Sequence, residues 1–207
     1  MRSKVNRISR RGYAFLLTAA LMIPGISSAA IVSGSTSLNT VVGDITVEVT
    51  ISDLVTEISI TSPDNRWVGI NFVPPVIHSD NSYVIMASAD GSDVFEANSS
   101  STSAPVAQAS QDLFDITFED LAGGSQKVTM SRASDTGDLN DYLFEPIPQS
   151  IDLYWALGRV GASTDQKHQY NGLMLPLELT IIPVPAAVWL FGSGLLGLIG
   201  VARRRKA

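Results

Sequence analysis

The sequence predicts an all-β fold, two antiparallel sheets packed face to face, set between two end segments that lie outside the fold. Three observations predict it. In residues 31–182 apolar side chains recur at every second position in short runs, the period of a strand with one buried face. Clusters of Gly, Asn, Asp, Ser and Pro separate the runs. No ten-residue stretch of this region carries apolar residues at helical spacing. About eight short strands with polar turns give an immunoglobulin-like antiparallel β-sandwich. A region of roughly 150 residues buries enough core to fold without disulfides.

The first run is "TVVGDITVEVTI" (40–51), where Ile45, Val47, Val49 and Ile51 fall on one face. In "VTEISIT" (55–61), Ile58 and Ile60 do the same. "RWVGINF" (66–72), "YVIMAS" (83–88), "LFDITFEDL" (113–121), "QKVTMSRA" (126–133), "IDLYWALG" (151–158) and "LPLELTII" (175–182) complete the set. Two linking segments, "DGSDVFE" (90–96) and "DTGDLND" (135–141), bunch carboxylates as calcium loops do. Neither has the EF-hand pattern, and both read as acidic turns. "SSSTSAP" (99–105) reads as a flexible turn.

The ends read as addresses. Residues 1–30 order a basic stretch (Arg2, Lys4, Arg7, Arg10, Arg11), an apolar run from Tyr13 to Ile23, and small residues Ser28 and Ala30. That order is a secretory signal peptide, cut by signal peptidase after Ala30. At the other end, Val184 to Ala202 is a 19-residue uncharged stretch followed by Arg203, Arg204, Arg205 and Lys206. Its length suffices for a helix across a hydrocarbon core of about 30 Å, and the basic cluster predicts a cytoplasmic end. The motif Pro183, Val184, Pro185, Ala186, then the apolar helix, then the arginines resembles a PEP-CTERM sorting signal over residues 183–207. The resemblance implies an exosortase that cuts near the motif, a precursor held in the inner membrane facing the periplasm, and delivery to the cell surface or extracellular matrix of a Gram-negative bacterium. Such proteins are associated with exopolysaccharide.

Charge narrows the partners of the middle region. It holds all 20 acidic residues and only five basic ones, a net −15 against −6 for the whole chain. Such a surface repels nucleic acid and anionic lipid. There is no cysteine, which excludes disulfides, thiolate metal sites and thiol nucleophiles. No phosphate-cradling glycine loop, Ser/His/Asp triad or framed carboxylate pair is present.

Only two histidines occur, His78 in "HSDNSYVIM" and His168 in "HQYNG". Landmarks fall in order around them: Trp67, Gly69 and Phe72 in "RWVGINF", then His78 with Val84 six positions on, then Arg132 in "RASDTGDLNDY", then Trp155 and Ala156 in "YWALG", then His168 four before Gly172. This series resembles a DOMON domain of the haem-binding type, related to the cytochrome domain of cellobiose dehydrogenase, over about residues 45–180. The resemblance implies His78 and His168 as axial ligands, with histidine at 78 where methionine is familiar. Two imidazoles give a six-coordinate iron suited to electron transfer and leave no open position for substrate chemistry, so no catalysis is expected. Without a C-x-x-C-H motif the cofactor would be a non-covalent haem b. Trp67, Phe72, Tyr83, Met86, Trp155 and Tyr170 are the expected apolar lining. Met86, Met130 and Met174 are spare thioethers. Lys167, Arg159 and Tyr170 are the groups nearest in sequence for the haem propionates. The redox partner is not specified by the sequence. Two histidines do not complete a usual tetrahedral zinc site, although Asp80 or Asp165 would add a carboxylate. The alternative left open is a carbohydrate-binding or structural matrix sandwich without cofactor, since DOMON relatives bind either haem or sugar.

Overall fold

The computed structural model describes residues 30–72, 82–99 and 105–183. His78 and the segment 184–207 lie outside the described residues. The described strands are β1 (Val32–Thr40), β2 (Gly43–Ile51), β3 (Val55–Pro63), β4 (Val68–Phe72), β5 (Tyr83–Ala87), β6 (Val94–Asn98), β7 (Val106–Ala107), β8 (Phe114–Leu121), β9 (Ser125–Ala133), β10 (Gln149–Ile151), β11 (Leu153–Leu157), β12 (Tyr170–Leu173) and β13 (Leu177–Ile181). No helix occurs among the described residues, and so none is long and apolar enough to cross a membrane.

A seven-stranded sheet runs β10-β13-β1-β2-β3-β9-β8, and a six-stranded sheet runs β12-β11-β4-β5-β6-β7. Every pairing is antiparallel. The two sheets close on one core. Ile45, Val47, Val49 and Ile51 of β2 meet Ile58 and Ile60 of β3 and Val128 and Met130 of β9 from one side. Val68, Ile70 and Phe72 of β4 with Tyr83 and Ile85 of β5 face them from the other. Alternate residues of each strand enter this core, as the pleat requires.

The strand count exceeds the sequence expectation, and the extra strands are instructive. β1 reads "VSGSTSLNT" and shows little alternation, because its inward positions include Gly34 and Thr36 and its outward ones are serines. β6 arises inside the acidic segment 90–96, where Glu96 points inward and is buried. The run 151–158 is two strands in different sheets, β10 and β11, with Asp152 at the crossing. Both ends of the sandwich meet at one place: Val32 pairs with Ile181, and the Ile182 N–H donates to the Ile31 carbonyl at 2.8 Å.

Candidate functional site

The strand period divides the expected lining residues between two faces. Phe72, Tyr83, Trp155 and Tyr170 face the inter-sheet core or pack against it. Trp67 and Met86 belong to a separate apolar cluster on the opposite face of the six-stranded sheet, with Val84 and Ala97. The six therefore do not form one lining, because positions 67 and 72, or 83 and 86, differ by an odd number of residues and must point to opposite faces. Of the three spare thioethers only Met86 is on this second face; Met130 and Met174 are core.

The second face has a regular grain. One cross-strand row runs Ala156, Gly69, Met86, Phe95, and the next runs Tyr154, Asn71, Val84, Ala97. Trp67, Val84, Met86 and Ala97 are buried. Gly69 leaves room that the Met86 thioether fills: a Cβ there would lie 2.8 Å from Met86 Sδ. Two polar atoms in this neighbourhood are buried without a hydrogen-bond partner, Trp67 Nε1 and Asn71 Oδ1. Native interiors leave few such atoms.

The segment 158–169 closes one end of this face. Ala162 packs into the cluster, the Gly158 N–H donates to the Trp67 carbonyl at 2.9 Å, and the Gly161 N–H donates to the Asn65 carbonyl at 2.8 Å. Gly158 is tight against the indole, where a Cβ would approach Trp67 Cδ1 to 2.2 Å. Arg66 ties the segment down through Nη1, which donates to the Gly158 carbonyl at 2.7 Å and to Gln169 Oε1 at 3.1 Å. Its guanidinium also stands 5.7 Å from the centre of the Tyr170 ring. Half-buried His168 sits here, next to Gln169. Arg159 and Lys167 are exposed in the same segment. Sequence reasoning missed Arg66; its place beside Trp67 was the available signal.

The two histidine-bearing segments leave opposite ends of the strands. Residues 73–81, which include His78, follow Phe72, the partner of Leu153; the segment with His168 follows Leu157, the partner of Val68. Four strand steps, about 13 Å, separate these exits.

Behind the face, between the sheets, is a buried charge cluster. Arg132 of β9 stands 3.3 Å from Glu96 of β6 and 2.9 Å from Asp141, and all three side chains are almost wholly buried. Tyr83 Oη donates to Glu96 Oε1 at 2.6 Å, and the Asp112 N–H donates to Glu96 Oε2. Thr136 Oγ1 donates to Asp141 Oδ2 at 2.6 Å. Arg132 also stacks on Tyr83 and Phe144, 4.8 and 5.4 Å from their centres. Burial raises the Glu96 carboxyl, and hydrogen bonds from Tyr83 and Asp112 and the Arg132 charge oppose it. Burial likewise raises the Tyr83 phenol. This cluster is where the "RASDTGDLND" stretch spends its polar residues, joining one sheet to the other. The remaining acidic turns are also structural. Asp90 accepts from Ser88, Ser92 and the Ser92 N–H, and Asp138 accepts from Asn140. No group of three or more metal-ligating side chains occurs among the described residues.

Side chains of the kind that hold a non-covalent haem occur at the second face and its end: apolar Trp67, Val84, Met86 and Ala97, the unpaired Trp67 indole N–H, and His168 and Arg66 in or against the closing segment. No protein-family model matches the chain, and no curated protein matches it. Among solved structures, the cytochrome domain of Myriococcum thermophilum cellobiose dehydrogenase is similar at 14% identity and a TM-score of 0.47, over 74% of this chain and 86% of that one. The cytochrome b domain of pyranose dehydrogenase from Coprinopsis cinerea is similar at 12% identity and a TM-score of 0.46, over 69% and 80%. At these identities and scores neither likeness bears on what this chain binds.

Proposed function

We propose that the protein is an exported b-type haem protein that passes single electrons, or reports redox state, at the bacterial cell envelope. One observation carries the reading: the buried apolar face of Trp67, Val84, Met86 and Ala97, with its unpaired Trp67 Nε1, is closed at one end by the segment that holds His168. When bound, a haem supplies a one-electron couple. The chain's part is to hold it. His168 and His78 are the residues that would hold its iron, and without cysteine the attachment would be non-covalent. The apolar rows keep water from the face. Arg66 offers the cation that a propionate needs. With both imidazoles on iron no imidazole base would remain for hydrolysis, in keeping with a carrier rather than an enzyme.

Export and sorting belong to the same reading. Signal peptidase would release residues 31 onward, and exosortase would act at Pro183–Ala186, leaving the domain at the surface or in the matrix. The redox partner is a separate protein, and exopolysaccharide is the surrounding medium. The pairing of Val32 with Ile181 favours this arrangement, because both membrane-directed segments then join the domain at one corner.

The test is optical. Purified protein supplied with haemin is expected to give a sharp Soret band and split visible bands on reduction, and His78→Ala and His168→Ala are each expected to convert it to a five-coordinate spectrum. Spectra unchanged by either substitution would remove the histidine ligation. No uptake of haemin would remove the haem.

A further inference from the structure

The seven-stranded sheet ends in two unlike rims. At one end Val32 pairs with both Ile181 and Ile51, Ile51 with Thr56, Val55 with Ala133, and Phe114 with Ser131. Ile31, Leu54, Val55, Phe114, Ile181 and Ile182 are all exposed along this rim. Leu54, in the turn between β2 and β3, is 79% exposed. At the other end the turns 41–42 and 122–124 expose a single large apolar side chain, Val41. Scattered exposed apolar residues are ordinary, whereas a contiguous set marks a contact surface. From β13 to β8 the rim crosses five strand spacings, about 24 Å.

The path of the chain says what covers this rim. Ile182 belongs to it, and Pro183 alone separates Ile182 from the uncharged apolar stretch 184–202. Two residue steps reach at most about 7 Å. The apolar run 13–23 also joins the domain here, through residues 24–30 and Ile31. Charge narrows the choice of surface. Asp53 and Asp115 are exposed on the rim, and Arg132 behind it is buried between Glu96 and Asp141. The more accessible cations lie away from it. Lys127 is near the start of β9, and Gln126 Nε2 donates to the carbonyl of Arg66 at 3.1 Å, beside the segment that carries Arg159 and Lys167.

We propose that this rim rests on a zwitterionic phospholipid bilayer while the C-terminal span is in place, so that the domain stands with its strands steep to the membrane instead of swinging on a tether. The proposal rests on the reading of residues 184–202 as a membrane span. Six apolar side chains leave water for the headgroup–acyl boundary. The span already holds them at the surface, so a contact too weak to recruit a free protein suffices. Anionic lipid is opposed by the rim carboxylates and by the net −15 of residues 31–182. Seated in this way, the rim sets Pro183–Ala186 at the bilayer surface.

The chain has no cysteine, so single cysteines report without background. The whole chain is reconstituted into vesicles of phosphatidylcholine and phosphatidylethanolamine, with an environment-sensitive dye on Leu54→Cys, Phe114→Cys or Val41→Cys. Flotation with the vesicles checks the span. Blue-shifted emission from positions 54 and 114, quenched severalfold more by brominated lipid than emission from position 41, is expected, and added phosphatidylglycerol is expected to reduce that quenching. Position 114 is the far end of the rim from β13, where a tether alone leaves the dye in water. Leu54→Asp combined with Val55→Asp is expected to abolish the quenching at 114 while flotation persists. Floating protein whose dyes at 54 and 114 are quenched no more than at 41 overturns the proposal and leaves the span standing. Protein that does not float removes both. A blue shift that grows with the ratio of protein to lipid assigns the rim to a second copy and overturns the proposal as well.

Discussion

Substituting Arg132 by Met tests the cluster that ties the sheets together. Arg132, Glu96 and Asp141 are almost fully buried, and Arg132 faces both carboxylates at 3.3 and 2.9 Å. Methionine fills much of the volume and removes the charge. Two buried carboxylates then lose their counter-ion, and breaking a buried pair this way costs about 3–5 kcal/mol. A domain of this size is stable by about 5–15 kcal/mol, so the variant folds only weakly. With a urea slope of about 2 kcal/mol per molar, the midpoint drops by about 1.5–2.5 M. The assay is urea unfolding followed by the fluorescence of Trp67 and Trp155, both buried. The triple variant Arg132→Met, Glu96→Gln, Asp141→Asn carries no buried charge, keeps the acceptor for Tyr83 Oη, and is expected to recover most of the loss. A single variant that loses less than about 1 kcal/mol, or a triple variant no better than the single, would refute the assignment of that cost to stranded charge.

Three further outcomes follow from the structure. Gly158→Ala is expected to cost about 1–3 kcal/mol by overpacking against the Trp67 indole, whereas Gly69→Ala meets only the flexible Met86 thioether and costs clearly less; urea midpoints that place them in the reverse order would contradict the packing described. Asp90 is held at about 2 by hydrogen bonds from Ser92, its backbone N–H and Ser88; its folded value lies below the usual 3.8, so its contribution is present above that pH and lost as pH falls toward 2, and Asp90→Asn is expected to flatten the acid limb of the stability profile in that window. Protein recovered from an exporting Gram-negative host is expected to begin at Ile31 and, when exosortase is present, to lack residues 187–207 by mass; an intact Met1 or an uncut tail would count against the processing assigned here.

Much of the fold was legible because alternation writes burial directly into sequence. Ile45, Val47, Val49 and Ile51 were read as one face and are all buried. β1 was not legible, since a strand whose inward side holds Gly34 and Thr36 has no hydrophobic period to detect. β6 was hidden for the opposite reason: Glu96 occupies a core position and reads as a turn until its partner Arg132 is found across the sandwich. The facing of the expected lining was not legible. Residues 66–72 drew attention as a unit, yet Trp67 and Phe72 serve opposite sides of the sheet. The apolar rim of the seven-stranded sheet gave no signal in one dimension, because its members come from both ends and the middle of the chain and become neighbours only through register.

The pairing of β1 with β13 sets an order on folding. β1 is the first strand described and β13 the last, and β13 also carries β10 on its other edge. The middle of the seven-stranded sheet, β1 through β3, forms from hairpins close in sequence. The β10-β13-β1 side cannot close until residue 181 is free to pair. A chain made from its N-terminus therefore keeps one open sheet edge until its last strand is available, and non-local closures of this kind are slow. Until then a neighbour can add a strand to the bare edge. Arrival of the C-terminal strand ends that exposure, so a truncation that removes β13 would leave the β1 edge open to aggregation.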